Sequence, residues 1–240
     1  MDAGLYTVAF SAVKQQMRLD VIANNLANIN TSGFKADMSD CLVSDPAKFD
    51  QKIALDSGKQ AESMIDFTQG NIKSTGNALD LALSGGGFFC IETPDGIQYT
   101  RKGNFTLNKE GILVTQEGLP VLGDGGKISI DGLNVVVDDK GNILVDEDLS
   151  GKIKLVDFSD PSRLAKAGDS LFAPVGSDVA EAEAKGVTVR QGFLERSNVN
   201  AVKVMTEMID ALRGYESYQK VMQSMNDVTL KTINDVGRLA

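Results

Sequence analysis

Gly123-Asp124-Gly125-Gly126-Lys127 is the segment of this 240-residue chain that comes nearest to a phosphate-binding loop. That loop needs a further glycine where Val121 stands, and a magnesium-binding hydroxyl where Ile128 stands, so nucleotide binding is not expected. Gly85-Gly86-Gly87 runs into a strand-like segment instead of a helix, so no helix N-terminus faces a phosphate there, and a tight bend or close backbone packing is the expected role. Asp138, Lys140, Asn142 and Ile143 occupy positions one, three, five and six of a calcium loop, where the lysine and the missing glycine both break the pattern. Asp146-Glu147-Asp148 reads as a solvated turn. Histidine and tryptophan are absent. Their absence removes imidazole bases, the nucleophile systems that depend on them and histidine-containing zinc sites, and it leaves paired carboxylates without an indole platform for sugars. Cys41 and Cys90 form no CxxC pair; Cys90 reads as a buried thiol within Phe88-Phe89-Cys90-Ile91, and a Cys41–Cys90 disulfide is left open. No catalytic, cofactor-binding or metal-ligating residue is assigned, and an enzyme is not expected.

The elements around these segments are arranged unevenly. All five prolines lie between residues 36 and 190, so both ends are free to form long helices. Residues 1–35 carry three basic and two acidic side chains, residues 36–190 carry 15 and 25, and residues 191–240 carry six of each. An acidic centre is thus flanked by two near-neutral arms. The overall charge of −9 repels a phosphate backbone, so nucleic acid is not expected as a partner. No run of eighteen apolar residues suits a bilayer, and Met1-Asp2-Ala3-Gly4-Leu5-Tyr6 lacks the basic and apolar regions of a cleaved signal peptide; a soluble, unprocessed chain without direct membrane insertion is expected.

In the first arm Leu5, Val8, Ala12, Gln15, Leu19, Ile22, Leu26 and Ile29 recur at spacings of three and four, the seam of a coiled-coil helix. Asp2 can cap its start. Thr31-Ser32-Gly33-Phe34 can end it, with Gly33 left-handed and Phe34 packing back on the last turn. From Val21 to Phe34 no residue is ionisable, and Asn24, Asn25 and Asn28 share the surface with alanines, which suits a helix surrounded by other helices. The second arm places Ala201, Met205, Met208, Leu212, Tyr215, Gln219, Met222, Asn226, Thr229, Ile233 and Val236 in a second seam, capped by Asn198 or Asn200 and interrupted by polar residues that fix register. The centre reads as short antiparallel strands: Phe88–Ile91, Ile97–Thr100, Lys127–Ile130, Asn134–Val137, Ile143–Val145 and Ile153–Phe158, with a hairpin turn at Asp138–Asn142. Residues 36–75 read as an extended connector carrying a short helix.

Ala23-Asn24-Asn25-Leu26-Ala27-Asn28, followed by Thr31-Ser32-Gly33-Phe34-Lys35, closely resembles the N-terminal signature of bacterial flagellar rod and hook proteins, the axial family. The resemblance continues through Leu79–Leu83, Gly85–Phe89, Tyr99–Phe105, Gly111–Thr115, Gly118 and Val121–Gly123, and through Gly192-Phe193-Leu194-Glu195-Arg196-Ser197-Asn198-Val199-Asn200 into Met205 and Met208-Ile209. It weakens over about 36–65 and 124–150. Met1-Asp2, Tyr6 and the short segment after Lys35 look more like the proximal than the distal rod branch. The resemblance implies a structural subunit, exported unfolded by the flagellar type III apparatus without a cleaved signal. Its terminal helices would pack in the wall of a periplasmic drive shaft of the basal body, against copies of itself and other rod and hook proteins.

The expected fold is α+β, with long terminal helices forming a coiled-coil-type assembly domain and a central all-β, glycine-rich domain. Its parts are an N-terminal arm (1–35), a connector (36–75), a β-rich domain (76–190) and a C-terminal arm (191–240). Subunit packing is expected from Leu19, Ile22, Asn24, Asn25, Leu26, Asn28, Gly33, Phe34, Asn198, Met205, Met208, Leu212, Tyr215 and Met222. A distal rod or hook-type subunit, and a self-contained coiled-coil binding module, are the alternatives.

Overall fold

The structure is a computed structural model and describes residues 2–38, 64–132, 134–176 and 179–237. It is α+β: an N-terminal helix, a C-terminal helix and a β-rich centre that includes the 3-10 turn Pro161–Arg163. The described residues fall into two compact units, one within Met1–Ala27, Asp37–Met64 and Asn200–Ala240, the other within Asn28–Ala36 and Ile65–Val199. The short helix expected in the connector, and Cys41, lie outside the described residues.

The helical unit is built on α1 (Asp2–Ala27) and α2 (Ala201–Gly237), which pack against each other. Ala12 and Ile22 are buried on α1 and Val204 and Ala211 on α2. A methyl group placed on Gly214 would lie 2.5 Å from Nε2 of Gln15, so the polar residue in the α1 seam sits where α2 has no side chain. Asn200 starts α2, its Oδ1 accepting the Lys203 N–H at 3.1 Å. Asn198, the other candidate cap, is used elsewhere.

The β unit comprises β1 (Ile72–Ser74), β2 (Leu81–Ser84), β3 (Phe88–Thr93), β4 (Gly96–Thr100), β5 (Thr106–Leu107), β6 (Leu113–Val114), β7 (Leu122–Gly123), β8 (Gly126–Lys127) and β9 (Val135–Val137). It continues with β10 (Asn142–Val145), β11 (Asp148–Lys152), β12 (Leu155–Phe158), β13 (Leu164–Gly168), β14 (Leu171–Pro174), β15 (Glu181–Glu183), β16 (Thr188–Gln191) and β17 (Phe193–Glu195). Its largest sheet has the order β13-β14-β4-β3-β12-β15, a second has β11-β10-β9, and four strand pairs complete the unit, β1 with β17 and β16 with β2 among them.

Strand β3 explains the run Phe88-Phe89-Cys90-Ile91. Alternate side chains of a strand point to opposite faces, and here both faces are covered. Phe89 and Ile91 enter a core with Leu81, Phe105, Ile143 and Ile153, while Phe88 and Cys90 enter another with Tyr99, Phe158 and Phe172. Burial pushes the Cys90 thiol up to about 12, which keeps it protonated and inert. The strand expected over Lys127–Ile130 is realised only at Gly126–Lys127; beyond it Ile128 and Ile130 turn their side chains into the core, and the backbone keeps a single bridge from Ser129 to Ile112.

The hairpin at Asp138–Asn142 forms as expected, Asp138 Oδ1 accepting the N–H groups of Lys140 and Asn142 at 2.9 and 2.8 Å. The next turn, between β10 and β11, places Asp146 at φ 51° and Glu147 at φ 77°, both in the left-handed region that glycine and asparagine favour. Glu147→Gly is therefore expected to raise stability by about 1 kcal/mol, read as a higher urea midpoint at unchanged slope.

Candidate assembly surface and buried charge clasp

Heptad spacing can draw two seams on one helix, and α2 carries both. The covered side holds Val204 and Ala211 buried, with Met208, Tyr215, Tyr218, Met222, Met225 and Thr229 half-buried. The spacing runs 204, 208, 211, 215, 218, 222, 225, 229. The expected seam shares 208, 215, 222 and 229 with it, but its alternate members Met205, Leu212, Gln219 and Asn226 are exposed. The physical reason is size: Val204 and Ala211 let α1 approach closely, and the bulkier Met205 and Leu212 turn outward.

The outward residues form a stripe of their own. Val202, Met205, Ile209 and Leu212 are 75, 52, 51 and 44% exposed and repeat at three and four, so they share one face over about three turns, roughly 15 Å. Val221, Val228 and Leu230 are exposed further along. Sequence reading merged this stripe with the covered seam; apolar residues at both 204/208/211 and 202/205/209/212 were the signal that two faces exist.

On α1, Leu19 and Leu26 are half-buried and Ile22 is buried. Asn25 is buried and pairs with one peptide: its Nδ2 donates to the Asp37 carbonyl and its Oδ1 accepts the Asp37 N–H, both at 2.8 Å. Asn24 is exposed. Asn28 begins the turn after the helix, its carbonyl accepting the Thr31 N–H and its Oδ1 the Thr31 hydroxyl, each at 3.1 Å.

The remaining residues belong to a joint in the β unit. Gly33 has φ 68°, and its N–H donates to the Glu195 carbonyl at 2.9 Å. A Cβ there would lie 2.3 Å from the Lys102 nitrogen and 2.5 Å from the Arg101 carbonyl carbon, both backbone atoms that cannot swing aside. Left-handed geometry and backbone clash add, so Gly33→Ala is expected to cost about 2 kcal/mol or more in urea unfolding. Phe34 is buried with the Lys166 ammonium of β13 4.0 Å from its ring centroid. It thus packs on the β unit, where the sequence pattern suggested the last turn of α1. Asn198 stitches two segments: its Oδ1 accepts the Ala36 N–H at 2.8 Å and its Nδ2 donates to the Asp66 carbonyl at 2.8 Å.

Beside these lies a charge cluster absent from the sequence-based candidates. Lys35 and Glu195 are each 1% exposed and Arg101 is 5% exposed. Lys35 Nζ donates to Glu195 Oε1 and to the Thr68 carbonyl, both at 2.7 Å. The Gly70 N–H donates to the same Oε1 at 2.9 Å, and Arg101 Nη1 donates to Oε2 at 3.4 Å. Arg101 Nη2 donates to the Gly85 carbonyl at 2.8 Å, and its guanidinium lies 5.2 Å from the Phe88 ring centroid. The triglycine bend thus holds a cation's counterpart carbonyl. Burial pushes the Lys35 ammonium below the ordinary lysine value, with Glu195 opposing, and does the same to the Arg101 guanidinium, opposed by Glu195 and Asp157. The signal in the sequence was a charged residue inside an apolar or glycine-rich run: Gly33-Phe34-Lys35, Arg101-Lys102-Gly103 and Phe193-Leu194-Glu195. The hydrogen bonds of the cluster run to its own members and to backbone, with the buried Arg101 Nε left without a partner, an arrangement that suits holding chain segments together. Among the described residues no group of His, Cys, Asp and Glu could hold a metal ion.

Three family descriptions match the chain. Residues 8–35 match the flagella basal body rod protein family, residues 82–147 the flagellar hook protein FlgE/F/G D1 domain, and residues 190–235 the flagellar basal body rod FlgEFG protein C-terminal region. The chain is 38% identical over 252 residues to the flagellar basal-body rod protein FlgF of Caulobacter vibrioides, covering 100% of both. It is 31% identical over 239 residues to FlgF of Mesorhizobium japonicum, covering 97% of this chain and 98% of the relative. It is 36% identical over 250 residues to the rod protein FlgG of Bacillus subtilis, covering 91% and 93%.

Proposed function

The chain belongs to the flagellar basal-body rod protein family, and from that premise we propose that it builds the rod by packing its terminal helices among those of neighbouring subunits. It is a structural subunit of the flagellar basal-body rod, most like the relatives named FlgF, and not an enzyme. It assembles with other rod and hook components of the basal body.

The finer reading is ours. The helices form a coiled-coil-type assembly domain inside the rod wall, and the joined subunits transmit torque in the periplasm. The chain reaches that place through the flagellar type III export apparatus, without a cleaved signal. No helix among the described residues is long and apolar enough to cross a membrane. The observation that carries the reading is the exposed stripe Val202, Met205, Ile209 and Leu212, which repeats like a seam and has no partner helix among the described residues. A self-contained coiled-coil module would cover that stripe itself. Leu19, Ile22, Asn24, Asn28 and Leu26 on the N-terminal side, and Met205, Met208, Leu212, Tyr215 and Met222 on α2, are the residues we assign to packing among helices. Gly33, Phe34, Asn25 and Asn198 support them by fixing the segments that enter and leave the helices.

Basal bodies purified from cells carrying a tagged copy of this chain test the assignment. The chain is expected to remain with the rod after the membranes and outer rings are removed, and cells lacking it are expected to be non-motile. Recovery of the chain only in soluble fractions, with motility intact in its absence, contradicts the reading.

A further inference from the structure

We infer that residues 28–36 form a strap that closes and opens as one piece on a β unit whose strands all lie within residues 65–199, with Lys35 as the key that enters a socket already built. This device belongs to the single chain, and its existence does not depend on the rod assignment.

The strap follows α1 directly and belongs to the β unit, yet residues 37–64 separate it in sequence from the rest of that unit. No strand runs through it, and neither apolar core described above includes one of its residues. Lifting it away therefore leaves β1 to β17 and both cores in place. Its large buried apolar side chain, Phe34, lies under the Lys166 ammonium.

What holds the strap is chiefly polar. Gly33 donates its N–H to the Glu195 carbonyl at 2.9 Å, and Ala36 donates its own to Asn198 Oδ1 at 2.8 Å. Lys35 Nζ reaches Glu195 Oε1 and the Thr68 carbonyl, both at 2.7 Å. The Ala36 carbonyl accepts the Asp66 N–H at 2.8 Å, and Asn30 Oδ1 accepts from Arg196 Nη2 at 3.1 Å. These bonds lie along one short run of chain, so they are made or lost together. A segment held by hydrogen bonds, with few buried apolar contacts, opens at lower free energy than a core.

The socket does not need the strap. With Lys35 withdrawn, Glu195 keeps Arg101 Nη1 at 3.4 Å and the Gly70 N–H at 2.9 Å, so its charge remains paired. With Lys35 seated, the second cation is offset by Asp157, whose charge also acts on Arg101. Seating the ammonium strips its water, a cost that largely offsets its attraction to a buried carboxylate. Closure is thus a shallow equilibrium, and it decides whether the chain leaving α1 is fixed to the β unit.

Hydrogen exchange read by mass spectrometry on the dilute full-length chain tests this, comparing peptides over residues 28–36 and 88–93 along a urea series. The strap is expected to be protected at least about tenfold less than β3, and to lose its protection at urea concentrations where β3 still holds. Lys35→Met, which leaves the Arg101–Glu195 pair in place, is expected to lower strap protection by a further tenfold or so and to keep that of β3 within about twofold. Equal protection of the two segments at every urea concentration in the unaltered chain overturns the inference, whether or not the variant folds. A variant that changes both segments alike, or neither, overturns it as well, because Lys35 would then not be what holds the strap.

Discussion

Glu195→Gln is expected to destabilise the β unit by about 3–5 kcal/mol, because it leaves two buried cations without their counter-charge. Glu195 is the sole anion within hydrogen-bonding reach of Lys35 and Arg101 among the described residues, and its Oε1 also accepts the Gly70 N–H. The amide keeps the shape but removes the charge, and its NH2 group meets donors on whichever side it takes. Folded domains have about 5–15 kcal/mol of stability, so a loss of this size takes most of it. Urea unfolding followed by far-ultraviolet circular dichroism measures the effect, since the chain has no tryptophan. A loss below about 1 kcal/mol, the scale of a surface ion pair, would show that the cluster does not hold the joint.

Ile209→Asp with Leu212→Asp is expected to abolish incorporation while leaving the dilute chain folded. Both side chains are exposed, so a carboxylate at either position costs the monomer little. In a buried contact each unpaired carboxylate costs several kcal/mol, on the order of a thousandfold or more in affinity for the pair. The expected readout is a non-motile strain whose purified variant keeps the unfolding midpoint of the parent. Ser217→Asp, also exposed on α2 but off the stripe, is the control and is expected to assemble. Normal motility of the double variant would remove the stripe from the assembly surface.

Much of this architecture was legible because local rules decide it. Proline-free ends with three-and-four spacing became α1 and α2, Phe88–Ile91 became a strand buried on both faces, and Gly33 took its left-handed turn. Asp138 and Asn142 made their hairpin from side chains that bond their own backbone. What stayed hidden was non-local or ambiguous in period. Lys35 and Glu195 are 160 residues apart, and no spacing rule brings them together. The two seams of α2 differ by a small rotation, and only the choice between Val204 or Ala211 and Met205 or Leu212 against α1 separates them. The turns at Asp146-Glu147 and Asp169-Ser170 are left-handed without glycine, so the usual residue signal is missing.

Oxidation of Met205 by dilute hydrogen peroxide, read by mass spectrometry in the dilute chain and in purified rods, tests the central claim that neighbouring subunits cover the outer stripe of α2. Met205 is 52% exposed in the single chain, so it is expected to oxidise readily there and to resist oxidation by at least tenfold in the rod. Equal oxidation in both states would mean that the stripe remains open to solvent after assembly and that neighbouring subunits do not cover it.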